Sequence, residues 1–134
     1  MPKMPKWKAP KNIAKALEEG DGSWEDERWS PILLTVMSGT ELDGRAIPVA
    51  WQMEFDPSEE EFEAVNSKLE ELEIDSDGYG WGEFIRNAVG KTDPALAKRL
   101  HLDDCETDTC VIWVEVEEDC RVLVESTWNL VFSK

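Results

Sequence analysis

Histidine is nearly absent from this sequence, and so are the usual marks of an enzyme. The chain of 134 residues has one histidine, His101, so a Ser/His/Asp or Cys/His catalytic device would depend on that residue alone. His101 follows a predicted helix among acidic residues, which is typical of a surface or strand-edge histidine. We therefore predict that the protein is not an enzyme and has neither catalytic residues nor a cofactor.

Long apolar runs are also missing. No stretch approaches the roughly 20 apolar residues of a membrane-spanning helix, and the cationic start of the chain is interrupted by Pro2, Pro5 and Pro10 with no apolar run after it. The three cysteines, Cys105, Cys110 and Cys120, are an odd number. We therefore predict a cytoplasmic protein that does not enter a membrane and whose cysteines are buried, reduced thiols.

Metal and nucleotide motifs are incomplete. The acidic loop that ends at Gly78 imitates the start of a calcium-binding EF-hand, but Phe84 occupies the position of the bidentate acid. The glycines of the same loop do not have the spacing of a dinucleotide fingerprint. The spacing of Cys105 and Cys110 is just within the range of zinc sites, but Cys110 lies inside a predicted strand and a second ligand pair would combine distant residues. The sequence predicts no metal site.

Basic residues are few, and acidic residues dominate the charge. Fourteen Lys and Arg stand against 30 Asp and Glu, which gives a net charge of −16. Such a surface repels nucleic acid and anionic lipid and attracts cationic partners. Solubility alone is the competing explanation. The charge favours a protein that binds a basic macromolecule and does not bind nucleic acid directly.

The apolar patterns predict an α+β fold. We predict a flexible basic tail over residues 1–11 and a single α+β domain over residues 12–134, with a small antiparallel sheet of about three to five strands packed against helices. Predicted strands cover residues 31–37, 46–55 and 109–117, with a loop over residues 38–45. In the second strand Trp51, Met53 and Phe55 alternate with polar or small residues, which buries one face.

Helical spacing and capping residues predict the remaining elements. The clearest helix covers residues 56–73, with Ser58 and Glu61 as a capping box. A glycine-rich loop over residues 75–82 leads into a helix that ends at Gly90. Asp93, followed by Pro94, begins another helix. Residues 12–19 predict a short first helix, and the segment after Asp119, which that residue would cap, is compatible with either a helix or a strand.

Tryptophan is abundant, with seven residues. Trp51, Trp81 and Trp113 lie in predicted strands and a helix, so we assign them to the core. Exposed tryptophan beside carboxylates would suit a partner that offers Arg or Lys. The predicted partner-binding residues lie in two acidic segments: Trp24, Glu25, Asp26, Glu27 and Trp29 in the first, and Asp75, Asp77, Tyr79 and Glu83 in the second.

The second half of the chain resembles a bacterial immunity family of polymorphic toxin systems, immunity protein family 51. The resemblance rests on Asp77-Gly78-Tyr79-Gly80-Trp81 and the amphipathic run through Val89, and on Asp93-Pro94-Ala95-Leu96 and Leu100. An acidic turn over residues 103–108, an aromatic-bearing strand over residues 109–115 and a segment after Asp119 follow. The resemblance implies an α+β protein that neutralises a cognate toxin.

Two binding functions follow from these observations. The first is an immunity protein that neutralises a basic toxin, such as a nuclease, by acidic surface complementarity. The second is an acidic DNA mimic, or another regulator of a host nucleic-acid-binding protein. We expect the protein to be a monomer or a small homo-oligomer.

Overall fold

One antiparallel sheet organises the fold. The computed structural model describes residues 3–42, 44–102 and 104–132. Its strands β1 (Ser23–Asp26), β2 (Leu33–Leu42), β3 (Arg45–Phe55) and β4 (Cys110–Val114) lie side by side in sequence order, and all neighbours are antiparallel. Together with five α-helices, this sheet confirms the predicted α+β class.

The helices connect and cover the strands. They are α1 (Ile13–Glu19), α2 (Glu63–Glu71), α3 (Gly78–Thr92), α4 (Pro94–Arg99) and α5 (Glu117–Phe132), and a 3₁₀ turn (Glu60–Phe62) precedes α2. No helix of the described residues is long and apolar enough to cross a membrane.

The sheet has a core face and an outer face. Leu34, Met53 and Ile112 are opposite one another across β2, β3 and β4, and all three are buried in one cluster with the helices. The alternate positions lie on the outer face. Ala50, Val111 and Trp113 occupy such positions and, with Ile47 near the start of β3, form a second cluster that contains only strand residues.

The three tryptophans assigned to the core are buried, Trp51 and Trp81 in the main cluster and Trp113 in the second cluster. Trp51, Trp81 and Trp113 are between 0% and 5% exposed. The indole N–H of Trp81 donates to Asn66 Oδ1 at 2.6 Å, and its ring meets Phe55 edge-to-face with centroids 5.1 Å apart. These two contacts join three elements, because Asn66 lies in α2, Trp81 in α3 and Phe55 in β3.

The N-terminal segment packs against the same core. Trp7 lies 6.2 Å from both Trp29 and Trp51, measured between ring centroids, and its indole N–H donates to Glu117 Oε2 at 2.8 Å. Residues 3–10 form neither helix nor strand. Trp7 therefore attaches the N-terminal segment to the core and to the start of α5.

Several predicted boundaries are wrong. Most of the loop predicted over residues 38–45 is strand, because β2 continues to Leu42 and β3 begins at Arg45, with Thr40 opposite Ile47; residue 43 lies outside the described residues. The capping box does not form. The Ser58 amide and hydroxyl both donate to Asp56 Oδ1, so the nearer carboxylate of Asp56 accepts the amide hydrogen bond that the box would give to Glu61. The helix predicted from residue 56 consequently begins later.

Three helix ends also differ from the prediction. The glycine-rich loop is shorter than predicted because α3 already begins at Gly78, with Asp77 as its cap. The same helix continues through Gly90 and ends at Thr92. Asp93 then caps α4, as predicted. The C-terminal segment is helix α5, which begins at Glu117, so Asp119 lies inside its first turn and does not cap it.

Candidate functional site

A cleft borders the outer edge of the sheet at β1. Its volume is about 1000 Å³, and the N-terminal segment, the end of α1 and strand β1 form its walls. The residues that line this β1 cleft are Lys8, Pro10, Ala16, Glu19, Gly20 and residues 23–28. Trp24, Glu25, Asp26 and Glu27 from the first predicted binding segment are all among them, so four of its five predicted residues share one concave surface.

Hydrogen bonds fix the wall of the cleft at Asp26. The Asp26 carboxylate is buried and accepts from the backbone N–H and the Nε of Arg28 at 2.9 and 3.0 Å. The Arg28 Nη1 in turn donates to the carbonyl of Lys6 at 3.2 Å. Asp26 and Arg28 therefore tie the N-terminal segment to β1, and Asp26 is neutralised within the molecule.

Trp29 is fully buried and lies outside the cleft. Its ring meets Trp128 edge-to-face at 5.9 Å between centroids, so its side chain is part of the core. Trp24 is half-buried and Glu25 and Glu27 are exposed. The side chains that this segment offers to a partner are therefore Trp24, Glu25 and Glu27.

A further carboxylate, which the sequence analysis did not select, does not line the cleft but interacts with Glu25. Glu54 is on the outer face of β3, opposite Leu33 of β2, and it is half-buried. Burial raises the pKa of the Glu54 carboxyl, and the negative charge of Glu25 raises it further. Only the Gln52 amide, which donates to Glu54 Oε1 at 2.9 Å, lowers the pKa.

We call Trp24, Glu25, Glu27 and Glu54 the acidic edge. Trp24 is opposite Val36 and packs against the core side of the sheet, whereas Glu25 is opposite Thr35 on the outer side, as is Glu54. Two carboxylates repel each other there, one of them partly removed from water, which costs folding free energy. The alternation of β3 could have assigned Glu54 to the outer face, but no local pattern shows that it lies close enough to Glu25 to interact.

The second predicted binding segment lies elsewhere. Asp77 caps α3 by accepting from the Gly80 amide at 2.8 Å, and Glu83 forms an ion pair with Arg86 in the same helix. Tyr79 is 56% exposed and Asp75 is exposed. Of the four predicted residues, Asp75 and Tyr79 remain available to a partner, while Asp77 and Glu83 have partners within α3.

The two predicted segments are at opposite sides of the sheet. Helix α3 packs against β4, and β4 is three strands away from β1. Three strand spacings span about 14 Å, so the structure separates what the sequence analysis treated as one set of candidates.

His101 lies at the other edge of the sheet. It forms an isolated antiparallel bridge with Trp113, which confirms the strand-edge interpretation, and its Nε2 is 3.3 Å from Glu115 Oε2. Among the described residues, no three His, Cys, Asp or Glu side chains are grouped as metal ligands.

Comparisons with models of known protein families, with curated proteins and with solved structures found no match for this chain, so the resemblance to an immunity family stays a prediction.

Proposed function

We propose that the protein binds a basic bacterial toxin through the acidic edge and neutralises it. The observation that carries this proposal is the interaction of Glu25, which lines the β1 cleft, with the half-buried Glu54. A Lys or Arg from a partner would relieve the repulsion between these carboxylates and supply charge-assisted hydrogen bonds to both.

Trp24 adds a second means of recognising a cation. Its half-buried ring lines the cleft next to Glu25 and Glu27, and a guanidinium that stacks on the ring gains cation–π energy as well as ion pairing. The fixed positions of Asp26 and Arg28 reduce the ordering cost of binding, because the wall of the cleft is already held by hydrogen bonds.

The charge of the whole molecule favours rapid association. A net charge of −16 attracts a cationic partner from a distance and raises the association rate at low salt. A nuclease toxin presents such a surface, because its cleft must approach phosphates. A protein that covers the cleft excludes nucleic acid from it, which is the way an acidic inhibitor neutralises a nuclease.

Co-expression with a candidate basic toxin, such as a nuclease encoded by a neighbouring gene, tests the proposal. We expect cells to survive when both are produced, and the two proteins to elute together in gel filtration. Cell death together with separate elution would refute the proposed function.

A double variant tests the surface separately. E25Q/E54Q should weaken toxin binding at least about tenfold, because paired interfacial charges contribute several kcal/mol. The matched control is E70Q/E71Q, which removes two exposed charges from α2 and should leave the affinity within about twofold. Equal affinities for the two double variants would place the interface elsewhere on the protein.

A further inference from the structure

Two cysteines outside the acidic edge are opposite each other in a tight hairpin. The Glu106 amide donates to the Thr109 carbonyl at 2.8 Å, and the Thr109 amide donates back to Glu106 at 3.4 Å. These two bonds make Glu106 and Thr109 a hydrogen-bonded antiparallel pair around the two-residue turn at Thr107 and Asp108. Cys105 and Cys110 are the next residues outward.

The register determines the geometry of the two cysteines. Residues next to a hydrogen-bonded pair form a non-hydrogen-bonded pair, in which the Cα atoms are about 4.5 Å apart. A disulfide requires Cα atoms roughly 4.4–6.8 Å apart. The Cys105 amide also points away from the partner strand, as this pairing requires, since it donates to Leu102 at 3.1 Å. The backbone therefore places the cysteines at a distance that a disulfide can span.

The two thiols influence each other. The interaction with the Cys110 thiol lowers the pKa of Cys105 to about 7, and the interaction with Cys105 and burial raise the pKa of Cys110. The Cys105 sulfur also lies 3.2 Å from the Val111 carbonyl oxygen. Directly opposite residues of an antiparallel pair present their side chains on the same face, with Cβ atoms about 4.5–5.5 Å apart, so the two sulfurs lie on one side of the hairpin.

We propose that Cys105 and Cys110 are a site of reversible oxidation that reacts with low-molecular-weight disulfides of the glutathione class and closes an intramolecular disulfide. This inference does not depend on the proposed function. It concerns this pair and not Cys120, which is buried in α5. Composition alone assigns all three thiols to inert packing, whereas the pairing gives two of them a reaction.

The reaction proceeds by two thiol–disulfide exchanges. The Cys105 thiolate attacks one sulfur of glutathione disulfide, forms a mixed disulfide and releases one glutathione thiolate, which takes up a proton. The Cys110 thiol then loses its proton and attacks the Cys105 sulfur, which releases the second glutathione. The two cysteines are oxidised and one glutathione disulfide is reduced to two thiols. Excess reduced glutathione reverses both steps, so the pair stays reduced in a reducing cytosol.

The bond would fix the loop that holds the start of α3. The Gly78 amide donates to the Thr107 carbonyl at 3.1 Å, and Thr107 lies in the turn that the disulfide would close. A Cβ placed on Gly82 would lie only 3.2 Å from the Cys105 sulfur, so this sulfur already packs against α3. Oxidation should therefore slow hydrogen exchange at the Gly78 amide.

Refolding in a glutathione redox buffer tests the proposal, because the unfolded chain exposes every thiol to the reagent. The refolded wild type should have one alkylatable thiol under denaturing conditions, compared with three after refolding with a reductant. Its mass should be lower by two hydrogen atoms, and proteolytic peptides should contain Cys105 linked to Cys110.

Single variants provide the controls. C120S should form the same bridge and retain no alkylatable thiol, whereas C105S and C110S should form no intramolecular bridge. Three free thiols in the oxidised wild type, or a bridge to Cys120, would overturn the proposal. Because C105S or C110S could fail to fold, the peptide map of the wild type and C120S decides the outcome by itself.

Discussion

At the scale of single residues, the acidic edge lowers the stability of the fold at neutral pH. Glu54 is half-buried on the outer face of β3, and Glu25 repels it. An ionised carboxylate there is less stable than in the unfolded chain, where it is hydrated and distant from Glu25. The folded protein therefore binds a proton at Glu54 more readily than the unfolded chain does, and loses stability as the pH rises through the folded pKa.

The variant E54Q should raise the free energy of unfolding by about 0.5 kcal/mol at neutral pH, the order of one cross-strand charge interaction. Gln keeps the shape of the side chain and still accepts a hydrogen bond from Gln52. The gain should fall toward zero below about pH 4, where Glu54 is protonated in the folded and unfolded states alike. Urea unfolding of the wild type and E54Q across this pH range measures both effects. A gain that is the same at every pH would contradict the electrostatic explanation.

Two buried threonines differ in whether their hydroxyl has a partner. Thr35 Oγ1 is buried without a hydrogen-bond partner among the described residues, whereas the hydroxyl of Thr127 donates to the Leu123 carbonyl at 2.9 Å inside α5. An unsatisfied buried hydroxyl costs roughly 1–3 kcal/mol, while a satisfied one stabilises by about 1 kcal/mol.

The variant T35V should therefore stabilise the protein by about 1 kcal/mol, because it removes a desolvated hydroxyl and places a β-branched residue in a strand. T127V is the matched control and should destabilise by about 1 kcal/mol. Thermal or urea unfolding of the two variants measures whether each substitution raises or lowers the free energy of unfolding. Equal losses in the two variants would show that the Thr35 hydroxyl is satisfied in solution.

At the scale of secondary-structure elements, the start of α3 depends on a close approach of two backbones. A Cβ on Gly78 would lie 1.9 Å from the Glu106 carbonyl oxygen and 2.1 Å from that of Thr109. These are backbone atoms of the hairpin that carries Cys105 and Cys110, so neither can move away without disturbing the hairpin. Glycine at this position is therefore a packing requirement between α3 and the hairpin.

The variant G78A should destabilise the protein by about 3 kcal/mol, which is the upper range for overpacking. G90A is the matched control in the same helix, since its Cβ would meet only the Ala97 Cβ at 3.5 Å, an ordinary contact. G90A should stabilise by about 0.5 kcal/mol, because Ala is the better helix former. Urea midpoints compare the two variants, and a G78A protein as stable as G90A would disprove the close approach.

At the scale of the whole molecule, the net charge of −16 opposes folding as well as favouring association. A compact chain holds its carboxylates closer together than the unfolded chain does, so they repel one another more strongly. Salt shortens the screening length from about 10 Å at 0.1 M to about 3 Å at 1 M. Screening should therefore stabilise the folded protein.

The free energy of unfolding should rise by about 1 kcal/mol between low and high sodium chloride at neutral pH. The control is the same titration near pH 4.3, the isoelectric point of the sequence, where the net charge is close to zero and the salt effect should nearly vanish. A salt dependence that is as large at the isoelectric pH would indicate a cause other than self-repulsion.

Much of the fold was predictable because its signals are local. The alternation of Trp51, Met53 and Phe55 predicted β3, and the Asp93–Pro94 pair predicted the start of α4, since each depends on neighbours within a few residues. Strand β1 was not predicted, because a four-residue segment with two acids acquires its pairing only from β2. The expected capping box failed because the competing carboxylate of Asp56 is nearer to the Ser58 amide.

The candidate site was only partly predictable. The sequence indicated Trp24, Glu25 and Glu27, because tryptophan beside acids is unusual on a surface without a partner. It also indicated Trp29, which belongs to the core because Trp7 and Trp128 enclose its ring. Glu54 was not selected, since its interaction with Glu25 depends on the order of three strands.

The sequence by itself determined the α+β class, the acidity and the tryptophan-rich core, because composition and the periods of helices and strands are local properties of the chain. The tertiary structure decided which acids meet, which tryptophan remains at the surface and which two cysteines are opposite each other. Those outcomes depend on strand order and register, which form only when distant segments pair. The acidic edge and the pair of Cys105 and Cys110 are products of that pairing.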